Sequence, residues 1–457
     1  MKRTGWFIII FCCLLVGTMA CSTGDNSSHQ RMSKAPLSQN EQTIPLEIWI
    51  ISNASDSEKL FLKTLEPYTS KHPELSVKVR SLSWDTAWQD ITKAVKTGDG
   101  PDVLQLGSTW APAIAALGGI ADLTERSEEL GGAAAYMPAS WNSVSMHGDS
   151  KVYAIPWFVE ARAIYYRKDV FQAAGLDPQD ALRDWESFRD ALKRVSETKI
   201  NGTTMAALSV PGKNDWNVVH NIMPWVWGAG GDVLTEDGKT VILSEEQALQ
   251  GIRYYMGLAQ EGLIEPSSLL KNTNQIEEDF AAGKSAIILG GPWLLRDFVV
   301  AREDGGLGGI LTQENLGIAP LPEGPEGRVT FVGGSNLAVF QHSEHKDEAW
   351  NLIAYLSTEE AQFSYAQHLG MLPARRSLLE SPELSEKFGY GAFAEALQYG
   401  RSYPSIREWG AIETSLVRHF GQMWDLVGNR TGGFSDEALQ EMLNAAAREI
   451  QIIMDTQ

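Results

Sequence analysis

The sequence predicts an α/β protein of two domains. Apolar strand-like runs alternate with amphipathic helical stretches from residue 46 to residue 106, the 457-residue chain is too long for one small core, and helical patterns dominate after residue 345. Residues 46–51 (LEIWII) read as the first strand and 52–56 as a polar turn. Leu60, Phe61, Leu65 and Tyr68 then keep helical spacing until His72-Pro73. Residues 75–79 alternate as a second strand. A helix over 86–96 puts Trp88, Ile91 and Val95 on one face, and the turn at 98–101 leads into a third strand at 102–106. This strand–helix–strand order implies a parallel, helix-covered sheet whose ligands sit in loops at the carboxyl ends of the strands. Asn53 and residues 107–110 occupy such loops.

The N-terminus has a different character. Lys2 and Arg3 precede an uncharged apolar run from Trp6 to Val16, the pattern of an export signal and too short to span a bilayer comfortably. The run ends Gly17-Thr18-Met19-Ala20-Cys21, which resembles the lipobox of bacterial lipoproteins and makes Cys21 the expected lipidated first residue. Cys12 and Cys13 leave with the signal, so no intramolecular disulfide is expected. Residues 22–43 are polar without apolar period and read as a tether. The formal net charge is −20 and becomes more negative without Lys2 and Arg3. That balance argues against nucleic acid or an anionic membrane surface as a partner.

Residues 152–168 (VYAIPWFVEARAIYYRK) combine strand formers with Pro156, which removes a ladder hydrogen bond and so points to an edge strand or a crossing between sheets. Glu160 and Arg162 share one face of an extended chain: either they pair, or they hold a polar ligand. Helices follow at 184–197 and 245–260, a helix end and strand at 280–290, and strands at 316–320 and 331–340. Further helices are expected at 345–356, 359–368, 412–427 and 436–454, the last N-capped by Ser435.

Catalytic and metal motifs are weak. Gly283-Lys284-Ser285 lacks the earlier glycine of a phosphate loop, since position 278 is Glu278, and His342 and His345 lack HExxH spacing. No GxSxG occurs. No catalytic residue, cofactor or metal is expected; an exported carbohydrate-active enzyme stays open only because carboxylate separation is a structural quantity. Fifteen tryptophans are a stronger signal, with Trp110, Trp157, Trp225, Trp227, Trp293 and Trp409 near turns or glycines. Indole faces stack on the C–H faces of sugar rings while carboxylates, amides and Arg bind hydroxyls.

Five segments together resemble the extracellular solute-binding proteins of bacterial ABC importers, the maltose-binding or sugar-binding family: TGDGPDVLQLGSTW (97–110), AIPWFVEARAIYYRKDVF (154–171), FAAGKSAIILGGPWLL (280–295), LGIAPLPEG with FVGGSNLAVF (316–324 and 331–340), and YPSIREWGAIETSL (403–416). The resemblance covers nearly all of the chain from Pro45. It implies a two-lobed periplasmic-binding-protein-like fold of type II, three interdomain crossings, and a ligand cleft. The expected divisions are a signal peptide (1–20), a lipidated tether (21–44), an N-terminal lobe (45–155 with 290–335) and a C-terminal lobe (156–289 with 336–457). It also implies a monomer without enzymatic activity, held to the membrane only by its lipid, on the extracytoplasmic face of the cell membrane or in the periplasm. Its partners would be a mono- or oligosaccharide and the permease subunits. Expected stacking surfaces are Trp157, Trp293 and Trp409, with Trp110, Trp225 and Trp227 as further candidates; expected polar contacts are Asn53, Thr109, Glu160, Arg162, Ser335 and Asn336. Asn53-Ala54 and Thr109-Trp110 stand where maltodextrin binders have charged pairs, which counts against maltose itself and leaves the sugar class intact. A glycerophosphodiester or a polyamine in the same fold is the alternative ligand.

Overall fold

The computed structural model describes residues 43–54, 56–212, 215–308, 311–428 and 434–456; the expected signal peptide, Cys21 and all but the last two residues of the tether lie outside them. β1 (Ile44–Ile51) starts inside the stretch expected as tether, because Ile44 already pairs with Leu75 of β2 (Leu75–Leu82). β1 runs parallel to β2 and to β3 (Val103–Gly107), and helices Ser57–Thr69 and Trp84–Thr97 make the crossovers. Every residue of β3 is buried, as expected for a strand covered on both faces. β4 (Ile155–Ala161) belongs to the same sheet.

One residue later the chain enters a second sheet with β5 (Ala163–Arg167). The short hairpin of β6 (Lys199–Ile200) and β7 (Thr203–Thr204) precedes β8 (Ala206–Ser209), β9 (Ser285–Gly290) and β10 (Leu316–Ala319), and the sheet order is β10–β5–β9–β8. β11 (Thr330–Val339) returns to the first sheet, antiparallel between β3 and β4; β12 (Leu372–Pro373) pairs with β4, and β13 (Gly400–Arg401) with the start of β11. From Trp409 onward, helix Trp409–Gly428 packs on helices Asn217–Gly228 and Glu246–Gln260, and helix Asp436–Thr456 packs beside it. The chain therefore passes between the sheets three times: at Arg162, between β10 and β11, and between β13 and Trp409.

These pairings shift the expected lobe boundaries. β4 stays in the first sheet to Ala161 rather than leaving it at 155, and β10 pairs with β5, so residues 316–319 join the second lobe. Helices Lys346–Leu356 and Glu359–Leu369 pack on helix Ser57–Thr69 of the first lobe, so residues 336–457 do not go together to the second. The expected boundaries came from the family resemblance, whereas burial of the apolar faces of these helices decides which sheet they cover.

Pro156 is accommodated where the β4–β11 register shifts between Ser335 and Asn336. Its carbonyl accepts a hydrogen bond from Gln362 Nε2 at 3.3 Å, and the outer edge of β4 pairs with the two-residue β12. Gly334 sits beside this bulge at φ +138°, and a Cβ there would meet the Phe158 carbonyl oxygen at 2.1 Å. Only glycine lets the two strands cross so closely.

Trp157 alternates to the opposite face of β4 from Phe158 and Glu160. It stacks on Tyr365 with ring centroids 4.1 Å apart, meets Phe61 edge-on at 5.4 Å, and is 1% exposed. Its expected role as a ligand surface is therefore corrected to core packing. Trp157→Ala is expected to cost about 3–5 kcal/mol of stability, read as a lowered denaturant midpoint. An unchanged midpoint would contradict the packing role.

Candidate ligand-binding site

A cavity of about 860 Å³ lies where the two sheets meet. The loops after β1, β2 and β3 form the first-lobe wall, bringing Asn53, Trp84, Thr109 and Trp110 to it; the starts of helices Asn217–Gly228 and Thr273–Ala281 form the facing wall. Glu160, Arg162, Phe331 and Ser335, all on or next to the passages between lobes, complete it. Parallel strands point their carboxyl ends here, where side chains from successive loops converge.

Arg162 is the centre of the polar network. Its side chain is 2% exposed, its Nη2 lies 3.4 Å from Glu160 Oε2 and donates to Asn217 Oδ1 at 2.6 Å, and its guanidinium carbon lies 4.9 Å from the Trp293 ring centroid. Arg162 Nε is buried and makes no hydrogen bond among the described residues. The same cation supports two neighbours: burial pushes the Glu160 carboxyl up and Arg162 draws it partly back, while burial first and Arg162 second push His220 well below the usual imidazole value.

Two more carboxyls are buried at the cavity. Glu277 Oε1 accepts the Trp293 indole N–H at 2.8 Å, and burial raises its pKa to about 8 against that hydrogen bond. Glu413, 1% exposed on helix Trp409–Gly428, accepts a hydrogen bond from Thr109 Oγ1 at 2.9 Å; burial raises it to about 8, with hydrogen bonds from Thr109 and Trp110 opposing. Thr109 belongs to the first lobe and Glu413 to the second, so this bond joins them. Trp110 and Trp216 meet across the same gap, their ring centroids 5.7 Å apart, while Trp84 and Trp88 pack on Trp110 at 5.4 and 5.5 Å. A second pile of rings backs the passages: His220 lies parallel to Phe331 at 4.0 Å, Phe331 stacks on Tyr403 at 4.9 Å, and Tyr403 on Trp409 at 4.6 Å.

Asn53, Thr109, Trp110, Glu160, Arg162, Trp293 and Ser335 line the cavity. The other expected contacts are corrected, each for a packing reason. Trp409 is fully buried beneath Tyr403. Trp225 stacks on Tyr255 at 4.8 Å within the second-lobe core. Trp227, 3% exposed, donates its indole N–H to Asp232 at 3.0 Å. Asn336 is 2% exposed and donates to Ser143 Oγ at 2.9 Å, on the opposite side of β11 from Ser335. Sequence reasoning missed Trp84, Asp215, Trp216, Asn217, Glu277 and Glu413. The carboxyl-end rule already applied after the first and third strands would have found Trp84 after the second; Glu413 carried no local signal.

Comparison with known proteins gives a consistent picture. A family model described as bacterial extracellular solute-binding protein matches residues 52–363. The diacetylchitobiose-binding protein DasA of Streptomyces coelicolor is 27% identical over 414 residues, covering 88% of each chain. Among solved structures, a solute-binding protein of Thermotoga lettingae with bound α-D-tagatose aligns with TM-score 0.76 and 21% identity, covering 90% of this chain and 99% of that one. The GacH receptor of Streptomyces glaucescens, whose structures include an acarbose complex, aligns with TM-score 0.75 and 23% identity, covering 89% and 98%.

A carboxyl that ionises near 4.5 when unfolded and near 8 when folded holds its proton longer in the folded chain. Its contribution is complete below pH 4.5 and is lost as pH rises to 8. The thermal midpoint is therefore expected to fall between pH 7 and pH 9, by on the order of 5 °C, with a smaller fall in Glu277→Gln. A midpoint that rises over this interval would overturn the assignment.

Proposed function

Because the chain belongs to the bacterial extracellular solute-binding protein family, we propose that it is the extracytoplasmic receptor of an ABC importer, binding a mono- or oligosaccharide in this cleft and handing it to the permease subunits without chemistry of its own. The observation that carries the reading is the wall itself. Partly exposed indoles of Trp84, Trp216 and Trp293 alternate with the amides of Asn53, Asn217 and Asn272 and the carboxyls of Glu160 and Asp215 around one cavity. Flat apolar faces beside hydrogen-bonding groups match a ring that is apolar on its faces and hydroxylated at its edges. The ligands named for DasA, GacH and the Thermotoga protein are all sugars or sugar derivatives, which supports the same class here. The buried Arg162 Nε offers an unused donor.

In this reading the sugar touches both lobes and stabilises the closed arrangement by its differential affinity for it, on the order of a few kcal/mol. The carboxyls lining the cavity, among them Asp85, Asp215 and Glu278, favour one second reading, a polyamine; the guanidinium of Arg162 at the centre stands against it. They also disfavour a glycerophosphodiester. Calorimetric titration against a panel of oligosaccharides, with spermidine and glycerophosphocholine as further arms, tests the class. A sugar is expected to bind, Trp293→Ala to weaken it about tenfold or more, and the bound sugar to be recovered intact. Binding of spermidine alone, or hydrolysis of the sugar, would overturn the reading.

Export and anchoring belong to the same proposal: cleavage before Cys21 and lipidation of its thiol would hold the receptor at the membrane as a monomer. Cys21→Ser is expected to move the protein from the membrane fraction to the soluble extracytoplasmic fraction. Retention of the variant on the membrane would refute the anchor.

A further inference from the structure

Along one side of the cleft the lobes touch directly. Thr109 Oγ1, in the loop after β3, donates to Glu413 Oε2 at 2.9 Å. The ring of the next residue, Trp110, meets Trp216 at 5.7 Å. Gly410, less than one turn before Glu413 on helix Trp409–Gly428, approaches Trp88 of helix Trp84–Thr97 so closely that a Cβ would lie 2.7 Å from the indole. Lacking a side chain there, the second-lobe helix can reach the first lobe.

Both ends of the Thr109–Glu413 bond are fixed to their own lobes. Ser108 N–H donates to Gly334 O at 2.9 Å and Trp110 N–H to Gly107 O at 2.9 Å, which hold the loop, and Glu413 is buried on its helix. The bond therefore cannot survive a parting of the lobes by local adjustment. The other carboxyl oxygen, Glu413 Oε1, has no hydrogen-bond partner among the described residues; His220 Nε2, from helix Asn217–Gly228, lies 3.9 Å from it. His220 Nδ1 in turn lies 3.0 Å from the Tyr403 hydroxyl, and Arg162 acts on both of these rings. Among the described residues no Lys or Arg pairs with Glu413, so an ionised carboxylate here would stand buried without a counter-charge.

The geometry points to Glu413 as a proton-operated latch: protonated, it spans the seam through Thr109 and holds the lobes together, and on losing its proton it drives them apart to reach water. Burial raises this carboxyl to about 8 in the closed arrangement, against the hydrogen bonds from Thr109 and Trp110, whereas water in an opened seam returns it toward its ordinary 4.5. The closed form thus binds the proton more tightly. Its advantage is complete below pH 4.5 and is lost as pH rises to 8. The latch is independent of which solute binds; with the receptor reading above, it means a firmer grip in acid surroundings and readier release in alkaline ones.

The test is small-angle X-ray scattering from the mature, unliganded protein between pH 6 and pH 9. The radius of gyration is expected to rise, the ratio of open to closed forms growing by about tenfold or more. Glu413→Gln keeps an acceptor for Thr109 and cannot ionise, so it is expected to stay compact throughout, although Glu277 still titrates in it. Thr109→Val keeps the shape and removes the donor, and is expected to open at lower pH than the wild type. Gly410→Leu wedges the helix off Trp88 and is expected to be expanded at every pH, which gives the dimensions of the open form. A wild-type radius that does not change, an equal rise in Glu413→Gln, or a Thr109→Val profile that matches the wild type would overturn the latch and leave the carbohydrate reading in place.

Discussion

A single residue is the whole of the first passage between the sheets, and the rest of the molecule is arranged around what that imposes. Arg162 stands between the last residue of β4 and the first of β5, and it is buried. Its backbone N–H donates to Phe331 O at 3.1 Å, and Thr330 Oγ1 donates to its carbonyl at 2.7 Å, so the first and second passages are stitched together. A charge in such a place must be neutralised and hydrogen-bonded or it destabilises the fold by several kcal/mol. Glu160 supplies the counter-charge, Asn217 an acceptor, and Trp293 and Phe331 the faces of their rings. The price of burying the cation is thus met by residues from both lobes, and the polar floor of the cleft is a product of this passage.

The carboxyls behave accordingly. Glu277 and Glu413 are far enough inside to keep their protons near neutrality, so each can act as a hydrogen-bond donor as well as an acceptor, in contrast to the paired carboxylates on the surface. His220, pressed against Phe331 and repelled by Arg162, stays neutral. Neutral Glu277, Glu413 and His220 beside an Arg162 already paired with Glu160 suit an uncharged polyol at this end of the cleft, because binding such a ligand leaves no uncompensated charge behind.

Much of this was legible in the sequence, and the limits are physical. The first three strands and their crossover helices announce themselves because hydrophobic period and turn residues are local signals, and the carboxyl-end rule then leads to Asn53, Thr109 and Trp110. Spacing put Glu160 and Arg162 on one face and left open whether they pair or hold a ligand; in the structure they lie 3.4 Å apart and both line the cavity. The same parity would have excluded Trp157: Phe158, Glu160 and Arg162 line the cavity, and residue 157 falls on the other face. Ser335 and Asn336 divide in the same way. Trp225, Trp227 and Trp409 could not be sorted, because an indole beside a glycine or turn looks alike whether it meets a ligand or Tyr255, Asp232 or Tyr403. Lobe membership after residue 336 was hidden for a similar reason: an apolar helix face does not name the sheet it will cover.

The contact between Trp110 and Trp216 has a spectroscopic consequence. Three indoles, Trp84, Trp88 and Trp216, each meet Trp110, with centroid spacings of 5.4, 5.5 and 5.7 Å, and of these contacts the one with Trp216 spans the two halves of the molecule. At such spacings the near-ultraviolet transitions of adjacent rings are excitonically coupled, so parting the halves would uncouple one chromophore from the other three. The polypeptide thus carries an intrinsic, label-free gauge of its own aperture, written into circular dichroism at the wavelengths where tryptophan absorbs.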